Sequence, residues 1–136
     1  AAGAAIRGGT LVVHGNTGPR TGISQKGGLI VIGGTVDYMS GFVSQKGIFI
    51  VCGDTGEAFA DSIYESRMFV RGNVSDLGNG ATTEDMAPEE SRELTDLLAR
   101  YHVAGVPDAS EFKKIVSDKR LYNFDKADFK IWRTAL

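Results

Sequence analysis

Two stretches 19 residues apart decide the fold: GLIVIGG at residues 28–34 and GIFIVCG at residues 47–53. Each places a run of β-branched or aromatic residues between glycines, which is the pattern of a short buried strand. The pattern recurs on both sides, as TLVVH at residues 10–14 and RMFVR at residues 67–71. Four equivalent strands at one spacing predict a mainly β protein, a parallel β-solenoid in which each coil of about 19 residues adds one strand.

Glycines follow the same period. Of the 18 glycines in 136 residues, ten fall into three series spaced by 19. The series are Gly15, Gly34, Gly53 and Gly72; Gly9, Gly28 and Gly47, with Ser66 in the fourth place; and Gly3, Gly22 and Gly41, with Ala60 in the fourth place. Sharp bends require a positive φ or a close approach of two backbones, and glycine permits both. We therefore interpret these glycines as structural ladders at the corners of stacked coils.

Side chains along a strand point alternately to its two faces. One face is predicted to fill the solenoid with two ladders, which are Leu11, Ile30, Phe49 and Met68, and Val13, Ile32, Val51 and Val70. The opposite face is also apolar, with Val12, Val31, Ile50 and Phe69. Strands that are apolar on both faces are normally covered on both. The cover is expected to be the C-terminal segment or a partner chain, which makes these four residues candidates for partner contact.

The repeat predicts a β-helix over residues 1–80 and a helical and extended C-terminal arm over residues 81–136. Because Gly3 aligns with Gly22, residues 3–8 are expected to end an earlier coil. Either residues before Ala1 or a partner would then stack on that end, since an open solenoid end leaves strand groups unpaired. The Ala-rich start without Met is expected to be a processed or truncated N-terminus.

Within the arm, residues 75–86 are predicted to form a loop, and Pro88 is predicted to open a helix. The helix has one apolar stripe, formed by Leu94, Leu97, Leu98 and Tyr101. Gly105 and Pro107 are expected to end it. A shorter helix is predicted from Asp108, with the stripe Phe112, Ile115 and Val116. The aromatic segment from Leu121 to Trp132 is predicted to be an extended arm that packs on another surface.

Composition excludes several classes. The chain carries 15 basic and 17 acidic residues for a net charge of −2, so it lacks the basic surplus of a nucleic-acid-binding domain. Its single cysteine, Cys52, rules out an internal disulfide and an iron–sulfur cluster held by this chain. The sequence contains no apolar run of about 18 residues that would cross a membrane. A reducing cytoplasm is the expected location.

Few residues are candidates for catalysis. His14 follows a strand at a glycine corner, His102 falls at a helix end, and Cys52 holds a buried strand position, so each is predicted to be structural. The glycine-rich stretch 27–34 lacks the Lys-Ser/Thr of a phosphate-binding loop. The corner Asp54–Glu57 has too few carboxylates for calcium. We therefore predict no catalytic, cofactor-binding or metal-binding residue in this chain.

Two segments, Ser24–Gly27 and Ser44–Gly47, share the sequence SQKG but are 20 residues apart, one residue out of phase with the coils. They are predicted to line one edge of the solenoid. A solvated corner and a contact with a partner are both consistent with this pattern.

The recurrent Gly-x-apolar-x-apolar-x-Gly coils resemble the GXGXG domain of glutamate-synthase-type proteins, a right-handed parallel β-helix. The resemblance covers residues 3–80, and Met68–Gly78 is similar to the last coil of that domain. The motifs LYNF at residues 121–124 and IWR at residues 131–133 resemble the tail of its stand-alone subunits. The formylmethanofuran dehydrogenase subunit that carries this domain is also similar, but Gln25-Lys26 and the helical tail depart from its pattern.

The resemblance implies a non-catalytic structural subunit of a glutamate-synthase-like complex such as N-methylglutamate synthase. In such complexes a class II glutamine amidotransferase-like subunit and an FMN-binding subunit with an iron–sulfur cluster do the chemistry. The β-helix bridges them and helps wall the ammonia path. The alternatives are a piece of ordinary glutamate synthase, the corresponding component of formylmethanofuran dehydrogenase, or an independent β-solenoid enzyme acting on a carbohydrate or acyl donor.

Overall fold

A computed structural model describes residues 1–118. Four parallel strands form its first part: β1 (Thr10–Val13), β2 (Lys26–Ile32), β3 (Lys46–Val51) and β4 (Arg67–Val70). Equivalent residues of successive coils pair directly, so that Leu11 lies opposite Ile30, Ile30 opposite Phe49 and Phe49 opposite Met68. The prediction of a mainly β solenoid with coils of about 19 residues is therefore confirmed.

The interior of the solenoid is filled by the two predicted ladders. Ile30, Phe49 and Met68 are fully buried in one ladder, and the first-coil residue Leu11 is half-buried. Phe59, from the bend after β3, meets Phe49 edge to face with ring centroids 6.0 Å apart. Burial of an aliphatic or aromatic side chain contributes about 1.5–3 kcal/mol. The stacked ladders thus contribute substantially to the stability of this part of the fold.

The corners repeat a left-handed backbone conformation at fixed positions. The predicted ladder of Gly3, Gly22 and Gly41 has φ between 70° and 77°, and Ala60 in the fourth place has φ 63°. Another ladder, absent from the sequence prediction, places non-glycine residues in the same region. Its members are Ala5, Ser24, Val43 and Ser62, with φ between 48° and 57°. Coil geometry therefore imposes this conformation even on β-branched Val43, for which it is strained.

The second part of the chain joins the same sheet. Strand β5 (Ala81–Glu84) precedes helix α1 (Pro88–Tyr101), which leads through one 3₁₀ turn at Ala109–Glu111 to strand β6 (Lys113–Ser117). Strand β6 pairs antiparallel with both β4 and β5, giving the order β1-β2-β3-β4-β6-β5. The sheet therefore continues beyond the last coil with the antiparallel strands β6 and β5.

Two sequence predictions are wrong in this region. Residues 75–86 are not all loop, because β5 lies within them. The segment from Asp108 forms only one 3₁₀ turn, and Ile115 and Val116 belong to β6 rather than to a helical stripe. The β-branched residues Ile115 and Val116 favour a strand. A strand in this position also forms backbone hydrogen bonds with the edge of β4, which would otherwise be unpaired.

Helix α1 begins and ends with identifiable caps. The Glu90 carboxylate accepts a hydrogen bond from the Ala87 N–H (3.0 Å), and Pro88 opens the first turn. At the other end His102 takes a left-handed conformation (φ 50°), so the helix stops before Gly105. The predicted stripe is confirmed, with Leu94 and Leu98 buried. The predicted arm from Leu121 to Trp132 lies outside the described residues.

Candidate functional site

The outer face of the solenoid is covered by the chain itself. Val31, Ile50 and Phe69 are at most 1% exposed, and they pack in one cluster with Leu94 and Leu98 of α1. Val103, Ala109 and Phe112 complete this cover. Of the two covers expected from the sequence, the structure has the C-terminal segment. These three residues are therefore inaccessible to a partner, whereas Val12 in the first coil is only half-buried.

Cys52 lies in the same apolar layer and is 5% exposed. Burial raises the pKa of its thiol to about 11, although the guanidinium of Arg71 lowers it in part. A cysteine nucleophile needs a thiolate at neutral pH, and this environment opposes thiolate formation. The predicted structural role of Cys52 agrees with its position.

The two histidines are both exposed. His14 is exposed at the corner after β1, two coils from the level of Cys52, which is a backbone separation of about 10 Å. His102 is the exposed cap of α1. Among residues 1–118 no group of three or more His, Cys, Asp or Glu side chains is placed to hold a metal ion.

Polar side chains at one corner link successive coils. The Asn16 side-chain oxygen accepts from the Thr35 N–H (2.8 Å), and the Asp54 carboxylate accepts from the Asn73 N–H (2.8 Å). Between them the Thr35 hydroxyl accepts from the Asp54 N–H (3.3 Å). These residues are 19 positions apart, so each satisfies a backbone donor of the next coil. The acidic corner at Asp54 thus has a structural role.

The glycine ladder beginning at Gly15 has a second physical reason, which is close backbone approach. A Cβ on Gly53 would lie 2.6 Å from the carbonyl carbon of Gly34, and one on Gly34 would lie 2.9 Å from that of Gly15. Real Cβ atoms essentially never approach backbone so closely. Gly15 itself, in the first coil, has nothing within 4 Å of its Cβ position.

The two SQKG segments lead into β2 and β3, which begin at Lys26 and Lys46. A bulge places Gly27 and Gly28 opposite the single residue Gly47, which accounts for the one-residue shift in phase. Gln25 is fully buried, and its Nε2 donates to the carbonyls of Gly28 and Ile48. Gln45, its sequence counterpart, is exposed. Gln25 therefore links two coils from inside the solenoid, and only part of this edge is solvated.

A partly buried ion-pair cluster, which sequence analysis missed, links α1 to the sheet. Lys114 on β6 is 6% exposed, and its Nζ lies 2.6 Å from a Glu84 oxygen and 2.8 Å from a Glu90 oxygen. Arg67 on β4 contacts Glu90 (3.2 Å) and Glu93 (2.9 Å) on α1. The partners are 23 to 30 positions apart, so no local sequence pattern could have revealed them.

Comparison with known proteins shows similarity to a curated protein. The chain is 46% identical over 95 residues to Protein GlxC of Rhizobium meliloti (strain 1021). The match covers 68% of this chain and 41% of that protein, so the chain spans less than half the length of this relative. No protein-family model matches the chain, and no solved structure matches it.

The structure also bears on membrane association. Within residues 1–118 no helix has both the length and the apolar character needed to span a bilayer.

Proposed function

We propose that this chain is a non-catalytic structural subunit of a glutamate-synthase-like complex. The observation that carries the proposal is the 19-residue solenoid, whose glycine ladders resemble the GXGXG domain of glutamate-synthase-type proteins. The similarity to Protein GlxC supports it, because that name is a glutamate-synthase-related gene name. The chain would act in the cytoplasm.

The chemistry of the described residues is consistent with a scaffold. Cys52 is held as a protonated thiol, and the polar corner residues bind backbone groups of neighbouring coils. The apolar outer face is used for internal packing under α1. These groups thus have structural tasks, and a stack of this kind can hold other proteins in a fixed relation.

Within this class we propose N-methylglutamate synthase, which converts glutamate and methylamine to N-methylglutamate and ammonia. The amidotransferase-like partner and the FMN-binding partner, with its iron–sulfur cluster, would carry the reacting groups. This chain would bridge the two and form part of the wall of the ammonia path. The support is the resemblance of residues 121–124 and 131–133 to stand-alone subunits of that kind.

Co-purification tests the proposal. The full chain, tagged and co-expressed with a class II amidotransferase-like protein and an FMN-binding protein from the same genome, should elute with both at fixed stoichiometry and with flavin absorbance. An unrelated tagged β-solenoid protein is the matched control. Elution of the chain as a free monomer with its own turnover would overturn the proposal.

A further inference from the structure

Three cationic residues lie next to one another at one edge of the solenoid. The Lys26 N–H donates to the Ile6 carbonyl (2.7 Å), which sets Lys26 opposite Arg7. Lys46 pairs directly with Lys26 in the parallel register. We call Arg7, Lys26 and Lys46 the basic column. The next level holds Glu65, whose N–H donates to the Gln45 carbonyl (2.9 Å).

Among the described residues, the basic column has no carboxylate partner, in contrast to the cations at the junction of β4, α1 and β6. Arg67, Arg71 and Lys114 are all ion-paired. Within residues 1–118, no carboxylate lies within 4.0 Å of a charged nitrogen of the basic column, so Glu65 does not neutralise it. Like charges directly opposite each other on neighbouring strands are destabilising. The fold therefore keeps an unfavourable arrangement at an edge where Arg7 and Lys46 are exposed and Lys26 is half-buried.

We propose that the basic column binds an acidic helix of a partner protein. Neighbouring strands are about 4.8 Å apart, so the three charges cover about 10 Å. Carboxylates three or four positions apart on a helix are about 5–6 Å apart, which matches this spacing. A long polyanion such as nucleic acid fits less well, because the chain carries a net charge of −2. The inference does not depend on which complex the chain belongs to.

The test uses a helical peptide with glutamate at every fourth position, titrated into the full chain and followed by backbone amide NMR. The chemical-shift changes of the backbone amides should centre on residues 6–8, 26–27 and 45–47. The affinity of the chain for the peptide should fall as the salt concentration rises. Lys26→Gln with Lys46→Gln should lower the affinity at least tenfold. Arg92→Gln, an exposed change of charge on α1, is the control and should leave it nearly unchanged.

Three results would overturn the proposal. These are shifts centred elsewhere, an equal loss of affinity in Arg92→Gln, or tighter binding of a DNA duplex than of the peptide. Stability supplies a second readout, because relief of repulsion should raise the melting temperature of Lys26→Gln by about 1–4 °C. A clear fall would mean that Lys26 supports the fold, which would also contradict the proposal.

Discussion

The Nζ atom of Lys114 lies 2.8 Å from the Oε1 atom of Glu90, and this contact joins strand β6 to helix α1. Lys114 is 6% exposed, and the Glu90 side chain is 14% exposed. A buried charge is strongly destabilising without its partner, because it keeps its desolvation penalty. The pair therefore links α1 to the sheet beside the apolar cluster in which the helix covers Ile50 and Phe69.

Protonation of Glu90 at acid pH should lower the free energy of unfolding. Burial raises the pKa of its carboxyl, but hydrogen bonds from Lys114, the Ala87 N–H and Arg67 together lower it below the ordinary value. A carboxyl with a lowered folded-state pKa stabilises the protein above its unfolded pKa of about 4.3 and loses that contribution as pH falls. Urea unfolding between pH 7 and pH 3 should show a smaller pH dependence for Glu90→Gln than for the unmodified chain.

The same variant should lose about 1–3 kcal/mol at pH 7, because Lys114 keeps its charge while one of its partners becomes neutral. The matched control is Glu89→Gln, an exposed neighbour on the same helix turn. If Glu89→Gln and Glu90→Gln had the same effect at every pH, the ion-pair account of this junction would be wrong.

Leu98→Ala should destabilise the chain by about 2–5 kcal/mol, because Leu98 is fully buried between α1 and the outer face. Asp96→Ala, on the exposed side of the helix, should change stability by less than about 0.5 kcal/mol. Chemical denaturation measures both.

Ile50→Asp, which places a charge in the same layer, should abolish folding or solubility. Unchanged stability in Ile50→Asp or Leu98→Ala would refute the covered face.

Gly53→Ala should be strongly destabilising, by about 2 kcal/mol or more, because the added Cβ would lie 2.6 Å from backbone of the preceding coil. Gly15→Ala is the matched control, since it occupies the same ladder with open space around it. Its effect should stay within about 1 kcal/mol. Thermal melting of the two variants measures both effects. Equal losses of stability would show that close approach of neighbouring backbones is not the reason for glycine in this ladder.

The repeat made the solenoid predictable, because glycine and apolar positions recur together every 19 residues. That period alone predicts that Ile30 pairs with Phe49, and the structure has this pairing. The left-handed backbone conformation of Val43 could not be predicted from the sequence. The coil geometry imposes it, although a β-branched residue disfavours that conformation.

The wrong predictions concern residues whose local sequence pattern fits both a helix and a strand. Phe112, Ile115 and Val116 fit a helical stripe, and the adjacent Ile115 and Val116 also suit a strand buried on both faces. The deciding factor is the free edge of β4, which is distant in sequence. The same holds for Lys114, whose partners Glu84 and Glu90 are reached only through the tertiary fold.

The most direct measurement of the central claim is reconstitution of the proposed three-component complex with and without this chain. The account predicts no turnover by the chain alone, and N-methylglutamate formation from glutamate and methylamine only when the chain is present. Without it, the amidotransferase-like and flavin half-reactions should continue but become uncoupled. Full synthesis without the chain, or turnover by the chain alone, would contradict the account.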